Sequence, residues 1–373
     1  MRIGVPTEIK KQEFRVGLTP EIVGELVRAG HNVCVQSGAG LGSGFDDEAY
    51  TDIGAAILPD ADAVFRASEL IVKVKEPQPE ECARLTPEHT LFTYLHLAPD
   101  PLQADGLMQS GCTAIAYETV TDAQGRLPLL TPMSQVAGRM SMQVAAWALM
   151  RTIRGRGLLL GGVPGVAPAK VVIIGGGVSG TNAAEIAVGM RADVTIFDRA
   201  NARLADLDVQ FSGLVKTMYS TAASLEAAVR EADLVIGAVL IPGAAAPKLV
   251  TRAMLKTMKP GAVLVDIAID QGGCFETSRA TTHEDPIYEV DGILHYCVAN
   301  MPGAVPRTST YALTNATFPF IMEIAEKGVR RALNENRHLA EGLTVAEGKI
   351  AHEAVARDLG RDFVRPDWFQ PMV

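Results

Sequence analysis

The chain has 373 residues, more than a single hydrophobic core usually serves, so two domains are expected. Its 48% hydrophobic and 21% charged residues match an ordinary globular protein, and a net charge of −9 without any basic cluster excludes nucleic acid as a partner. Five scattered cysteines without a C-x-x-C pair, and a charged amino terminus (MRIGVPTEIKK) where a secretory signal needs an apolar run, point to reduced thiols and the cytoplasm.

The residues alternate β-branched runs with helical patterns from the start. A strand is expected over 2–5, a helix over 20–29 and a strand over 31–36, with Thr19 as N-cap, Pro20 in the first turn and Gly30 as the stop. Further strands read at 70–75, 90–95 and 112–118, joined by proline-containing connectors, and imply a parallel sheet. A long helix over 134–154 then joins two domains. The most apolar stretch, 158–174, is broken by glycines, prolines and Lys170 well short of the roughly 20 residues a membrane span needs. A second α/β series follows, with strands at 171–174, 193–197, 214–219, 234–239, 262–267 and 295–298. Six strands make a complete dinucleotide fold, so the helical stretch 311–339 must leave that sheet and return to the first domain. The expected class is α/β: two Rossmann-like domains with parallel sheets, joined by long helices. Residues 1–128 with 307–373 form one domain, residues 129–306 the other, and the active site lies in the cleft between them.

The sharpest motif is Gly175-Gly176-Gly177-Val178-Ser179-Gly180, a G-x-G-x-x-G directly after a buried strand and at the start of a helix. Gly175 permits the tight turn, Gly177 lets the backbone approach a pyrophosphate, and Gly180 lets the helix sit close on the strand. Asp198 lies 21 residues beyond Gly177, at the end of the next strand. A carboxylate there accepts a ribose 2′-hydroxyl and repels a 2′-phosphate, which favours NAD over NADP, while Arg199 and Arg203 nearby keep an NADP reading open.

Ligands in open α/β sheets sit beyond the carboxyl ends of the strands. The polar residues at those ends are Lys75, His96, Asp270 and Asn300, two from each domain. Taken singly they have ordinary readings, as a solvated lysine, a loop histidine and two turn residues, and Arg15 reads as a solvated charge.

Along nearly its whole length the sequence resembles the alanine dehydrogenase family. The resemblance rests on MRIGVPTEIKKQEFRVGLTP, VKVKEP (72–77), LFTYLHLA (91–98), TPMSQVAGRMS (131–141), VVIIGGGVSG, VDIAIDQGG (265–273) and VANMPGAVPRTST (298–310). It implies that Arg15 and Lys75 bind the carboxylate and carbonyl of the substrate, that His96 and Asp270 serve acid/base catalysis, and that Asn300 lies at the substrate. It implies NAD contacts from Ser134, Val178, Ser179, Asp198, Arg203, Ser220, Val239, Leu240, Ile267, Ala268, Ile269, Asp270, Val298, Ala299, Asn300 and Met301. The implied reaction interconverts L-alanine with pyruvate and ammonia, in a homohexamer. Some members hold magnesium through a glutamate and a histidine on the last long helix; the matching residues are Glu323 and Lys327, and a charged lysine is no ligand, so an i,i+4 ion pair and no metal are expected. The rival readings are the soluble part of a transhydrogenase, which does not call for Arg15, Lys75 and His96 together; a saccharopine dehydrogenase, which would need a long acidic pocket for which no dedicated basic residues are present; and a non-catalytic NAD sensor, against which the intact set argues.

Overall fold

A computed structural model of the chain describes residues 1–239 and 246–371. They form two compact units, Met1–Met133 with Val305–Val373, and Ser134–Ala304.

In the first unit, β1 (Arg2–Val5) buries Ile3 and Val5 and is followed by the helix Pro20–Arg28, whose Val23 and Leu26 face the core. Thr19 occupies the N-cap position with an extended backbone but makes no side-chain cap, contrary to expectation, and its hydroxyl turns instead to Glu21. Gly30, at φ 87°, ends the helix in the left-handed conformation glycine adopts without strain. Then come β2 (Asn32–Gln36), β3 (Ala56–Leu58), β4 (Leu70–Val72), β5 (Thr90–Thr93) and β6 (Thr113–Ala116), all paired in parallel. Three of these end earlier than the apolar pattern suggests. Past Val72 and Thr93 each strand makes one more backbone bond, Lys73 to the Phe92 carbonyl and Tyr94 to the Val74 carbonyl, before the amides turn to side-chain carboxylates, Val74 to Glu8 and His96 to Glu118. β6 stops at Ala116, where a 3₁₀ turn begins at Tyr117.

The helix Thr131–Ala148 carries the chain into the second unit and ends before Arg151–Ile153, a separate 3₁₀ turn, so the single helix expected to 154 is broken. The second sheet comprises β7 (Lys170–Ile174), β8 (Asp193–Asp198), β9 (Val215–Tyr219), β10 (Leu234–Gly237), β11 (Val263–Asp266), β12 (Ile287–Val290) and β13 (Ile293–Tyr296). Its order is β12-β13-β11-β10-β7-β8-β9, with β7 flanked by β8 and β10 at the point where the order reverses. The sheet has seven described strands rather than six. The extra one, β12, is an antiparallel edge strand joined to β13 through Asp291-Gly292, both at positive φ as a two-residue hairpin turn requires.

After Val305 the helix Pro306–Lys327 stops at Gly328 (φ 77°), and Val329–Glu335 and Arg337–Ala340 follow as separate helices, the last capped by the Asn336 side chain. The long helix expected over 311–339 is therefore three. β14 (Leu343–Ala346) and β15 (Lys349–Ile350) complete the first sheet, order β15-β14-β6-β5-β4-β1-β2-β3. β14 runs antiparallel to β6, which makes this sheet mixed rather than wholly parallel. Among the described residues, no helix is long and apolar enough to cross a membrane.

Candidate active site

The glycine turn lies between β7 and the helix Val178–Gly189, at the reversal of strand order in the second sheet. Its geometry forces glycine for different reasons at different positions. Gly175 is at φ 104° and a Cβ there would lie 2.6 Å from the Ala238 carbonyl; at Gly180 a Cβ would lie 1.8 Å from the Gly175 carbonyl. At Gly177, the N-cap of the helix, a Cβ would meet nothing within 4 Å. That opening faces a helix N-terminus whose first amides have no intrahelical partner, which suits a pyrophosphate.

Asp198, at the end of β8, accepts the amide of Gly176 at 2.8 Å on one oxygen and that of Ala200 at 2.9 Å on the other. Each carboxylate oxygen has a second acceptor site, so the group holds the turn and retains capacity for a ribose hydroxyl. Arg203 donates to the Gly176 carbonyl at 2.6 Å and to Thr181 Oγ1 at 2.7 Å. Its guanidinium is thus tied to the glycine turn, not presented as a receptor for a 2′-phosphate. Ser220 gives its amide to the Asp198 carbonyl, which brings the end of β9 beside the same place. Val178 is exposed at the helix start, with Ser179 next to it and Val239 just past β10, while Leu240 lies outside the described residues. Ser134 stands in the first turns of the helix Thr131–Ala148.

The turn after β11 is a 3₁₀ segment, Ile267–Gln271, which holds Ala268, Ile269 and an exposed Asp270. Asp266, wholly buried, organises it. One oxygen accepts the Ala268 amide at 3.1 Å, and the other takes the Cys274 amide at 2.9 Å and the Ser278 hydroxyl at 2.5 Å. Burial pushes the Asp266 carboxyl above its ordinary range in spite of these donors. Past β13, Val298 is buried, Ala299 bonds to the Thr281 carbonyl, and Asn300 stands at φ 60°, left-handed, just before the buried Met301.

In the first unit Arg15 is almost fully buried. Its Nε and Nη2 donate to the two oxygens of Glu13 at 2.6 and 2.5 Å, and Nη1 approaches the Met133 sulfur at 3.0 Å. Burial works against the charge on Arg15, but Glu13 outweighs it and holds the guanidinium protonated. The reading of Arg15 as a solvated charge, drawn from the residue alone, is therefore corrected. Lys75 follows β4, its amide within 3.3 Å of Glu8 and its carbonyl accepting Thr93 Oγ1 at 2.9 Å. Its ammonium is 3.8 Å from Glu76. His96 is at φ 46°, a left-handed conformation that few residues other than glycine adopt, and its ring stacks on Tyr94 with centroids 5.7 Å apart and planes 5° apart. Tyr94 is also within electrostatic reach of Arg15. Arg15, Lys75 and His96 are thus gathered around Glu8, Tyr94 and Glu118, none of which stood out in the sequence because acids and a tyrosine at strand ends read as ordinary solvated or core residues.

Glu323 and Lys327 pair at 2.9 Å, and Lys327 also meets Glu335 at 3.0 Å. No group of three or more His, Cys, Asp or Glu side chains among the described residues is placed to hold a metal ion.

The strand order, the glycine turn and the carboxylate at the end of β8 define a dinucleotide-binding protein of the Rossmann class. Residues 4–137 match the model of the alanine dehydrogenase/PNT N-terminal domain and residues 141–353 that of the C-terminal domain. The chain belongs to the alanine dehydrogenase/PNT family. It is 58% identical over 364 residues to an alanine dehydrogenase of Halomonas elongata, covering 98% of each chain, and 56% identical over 365 residues to that of Bacillus subtilis, covering 98% of this chain and 96% of the other. A solved L-alanine dehydrogenase superposes with a TM-score of 0.94 at 51% identity, over 96% of this chain and 99% of the other. A transhydrogenase from Sinorhizobium meliloti superposes at 0.81 and 26% identity, over 95% of this chain and the whole of that one.

Proposed function

We propose that the chain is an NAD-dependent L-alanine dehydrogenase, with the second unit holding NAD and the first supplying the substrate groups. The observation that carries this reading is Arg15, a buried guanidinium kept charged in the same unit as Lys75 and His96. A site for a small carboxylate needs such a group, whereas a transhydrogenase exchanging hydride between two nucleotides does not. The identity of more than half over nearly the full length to alanine dehydrogenases supports the same choice over the transhydrogenase.

NAD, when bound, supplies the hydride acceptor, and everything else falls to side chains. Arg15 takes the carboxylate of alanine or pyruvate, with Glu13 fixing the orientation of its fork. Lys75 faces the carbonyl oxygen and polarises it. His96 exchanges the protons that move as carbinolamine and imine form and collapse, a task suited to an imidazole near neutral pH. Asp270 and Asn300, on the turns after β11 and β13, complete the acid/base and substrate contacts. Asp198 receives the ribose hydroxyls and selects NAD over NADP. Ser134, Ser220, Val239, Leu240 and the segments 267–270 and 298–301 line the cofactor. We place the enzyme in the cytoplasm as a homohexamer. Exposed Trp147, Met150, Leu159 and Val163 in the second unit support self-association, which light scattering would measure directly.

The test of function is product formation. Purified protein given pyruvate, ammonium and NADH should oxidise NADH and release L-alanine, identified by chiral chromatography, and omission of ammonium should stop the reaction. Absence of NADH oxidation with every small 2-keto acid would leave an NAD-binding protein without amino-acid chemistry.

A further inference from the structure

We infer that Glu118 is the positioning residue of His96, fixing both the backbone and the ring of the acid/base; the inference rests on the role given to His96 above. Glu118 sits in the 3₁₀ turn Tyr117–Thr119 at the end of β6, the strand next to β5, which leads into His96. Its Oε1 accepts the His96 amide at 2.6 Å, and its Oε2 accepts the Leu95 amide at 3.2 Å. The same Oε1 stands 3.8 Å from Nδ1 of the His96 ring, a charge contact longer than a hydrogen bond.

Three features make this more than a loop tie. His96 holds a left-handed φ of 46°, a conformation that side-chain-bearing residues keep only where the surroundings impose it, and the Glu118 bond to its own amide is such an imposition. The ring is 44% exposed, so burial alone does not immobilise it; the stack on Tyr94 and the carboxylate at Nδ1 fix its plane and its rotation. Glu118 itself stands on rigid ground. Its neighbour Tyr117 is fully buried, donates to the Lys73 carbonyl at 3.0 Å and meets Tyr94 edge-on at 5.1 Å.

A carboxylate facing Nδ1 favours the tautomer with hydrogen on that nitrogen and leaves Nε2 to exchange protons with the substrate. In the direction of alanine synthesis, Nε2–H of the imidazolium gives its proton to the carbinolamine hydroxyl. The C–O bond breaks, its electron pair leaves with water, and Nε2 is left with a lone pair. In alanine oxidation Nε2 takes the proton back from the water that attacks the iminium carbon. Nδ1 keeps its hydrogen in both directions, with the Glu118 charge facing it.

The experiment compares kcat, KM for pyruvate and Kd for NADH in Glu118→Ala, Glu118→Gln, His96→Ala and the double variant His96→Ala/Glu118→Ala, with melting temperatures recorded for each. Glu118→Ala is expected to lower kcat by about 100-fold, the lower range of an acid/base contribution, with KM and Kd within about twofold of wild type. Glu118→Gln keeps an oxygen for the His96 amide and should recover part of that loss. The double variant should be no slower than His96→Ala, because Glu118 acts through the ring. Wild-type kcat in Glu118→Ala, a KM for pyruvate that rises as far as kcat falls, or a further large loss in the double variant would overturn the inference while leaving His96 in its role. Wild-type turnover by His96→Ala would overturn both. Should Glu118→Ala fail to fold, Glu118→Gln decides: a lowered kcat at wild-type KM and melting temperature supports the inference, and an unchanged kcat contradicts it.

Discussion

Gly177 and Gly180 stand three residues apart in one motif, yet the structure asks different things of them. A Cβ on Gly180 would run into the Gly175 carbonyl, while one on Gly177 would point into open space. Gly180→Ala should therefore destabilise the fold by about 1–3 kcal/mol, the usual cost of overpacking, visible as a lowered melting temperature. Gly177→Ala should melt with wild type but bind NADH at least about tenfold more weakly, since its methyl group occupies the phosphate approach. Equal melting and equal binding in the two variants would contradict this division. Arg15→Lys keeps a positive charge but loses the fork held by Glu13. The expected result is a KM for pyruvate raised by about 10- to 100-fold, the worth of one charge-assisted hydrogen bond, with NADH affinity unchanged in a fluorescence titration. At this scale the glycines and Asp198 were legible in the sequence because their spacing follows from the mechanics of a turn. Glu8, Glu13 and Glu118 were not, because an acid in a polar stretch carries no spacing signal, and only the fold shows which backbone amide it meets.

Four strand ends in the two sheets are finished in one way, by a carboxylate that takes backbone amides of the next turn. Glu8 holds Val74 and Lys75, Glu118 holds Leu95 and His96, Asp198 holds Gly176 and Ala200, and Asp266 holds Ala268 and Cys274. Each therefore fixes a turn that carries a candidate site residue or, with Asp198, the glycine motif. This also explains why β4 and β5 are shorter than their apolar runs: the ladder ends where a side chain captures the amide, and hydrophobicity does not report that. The strands themselves were readable, since 171–174 and 234–237 are buried on both faces and appear as continuous apolar runs. The β12–β13 hairpin was missed although its Asp291-Gly292 turn is a strong hairpin signal, because β12 is a short edge strand with little apolar alternation. Lys73 offers a sharp test at this scale. It is wholly buried and pairs with Glu8 at 3.1 Å and Glu81 at 2.6 Å; burial would depress the ammonium, and the two carboxylates instead hold it above its ordinary value. Lys73→Met leaves those acids facing each other and should cost about 3–5 kcal/mol in urea unfolding, the range for a broken buried pair. A loss under about 1 kcal/mol would contradict the assignment of Lys73 as the charge that joins β4 to Glu8.

For the molecule as a whole, one defined part of the acid sensitivity should come from His295 in the second unit. His295 is fully buried on β13, with Nε2 2.7 Å from Thr277 Oγ1 and Nδ1 3.0 Å from the Ile293 carbonyl, and burial pushes its pKa down to about 4 from 6.5. The unfolded chain takes up this proton first on acidification. The stability linked to a neutral His295 is thus complete above pH 6.5 and lost as pH falls toward 4, by about 3 kcal/mol at most. The stability of His295→Gln should fall less steeply than wild type across that window, and parallel curves would refute the assignment. In the proposed reaction both units take part, one through its dinucleotide cradle and the other through Arg15, Lys75 and His96. The most direct measurement is stopped-flow oxidation of NADH by wild type and His96→Ala with saturating pyruvate and ammonium, beside a fluorescence titration of NADH binding. The expected result is equal NADH affinity with a rate at least about 100-fold lower in the variant; equal rates, or no NADH oxidation by wild type, would contradict the account.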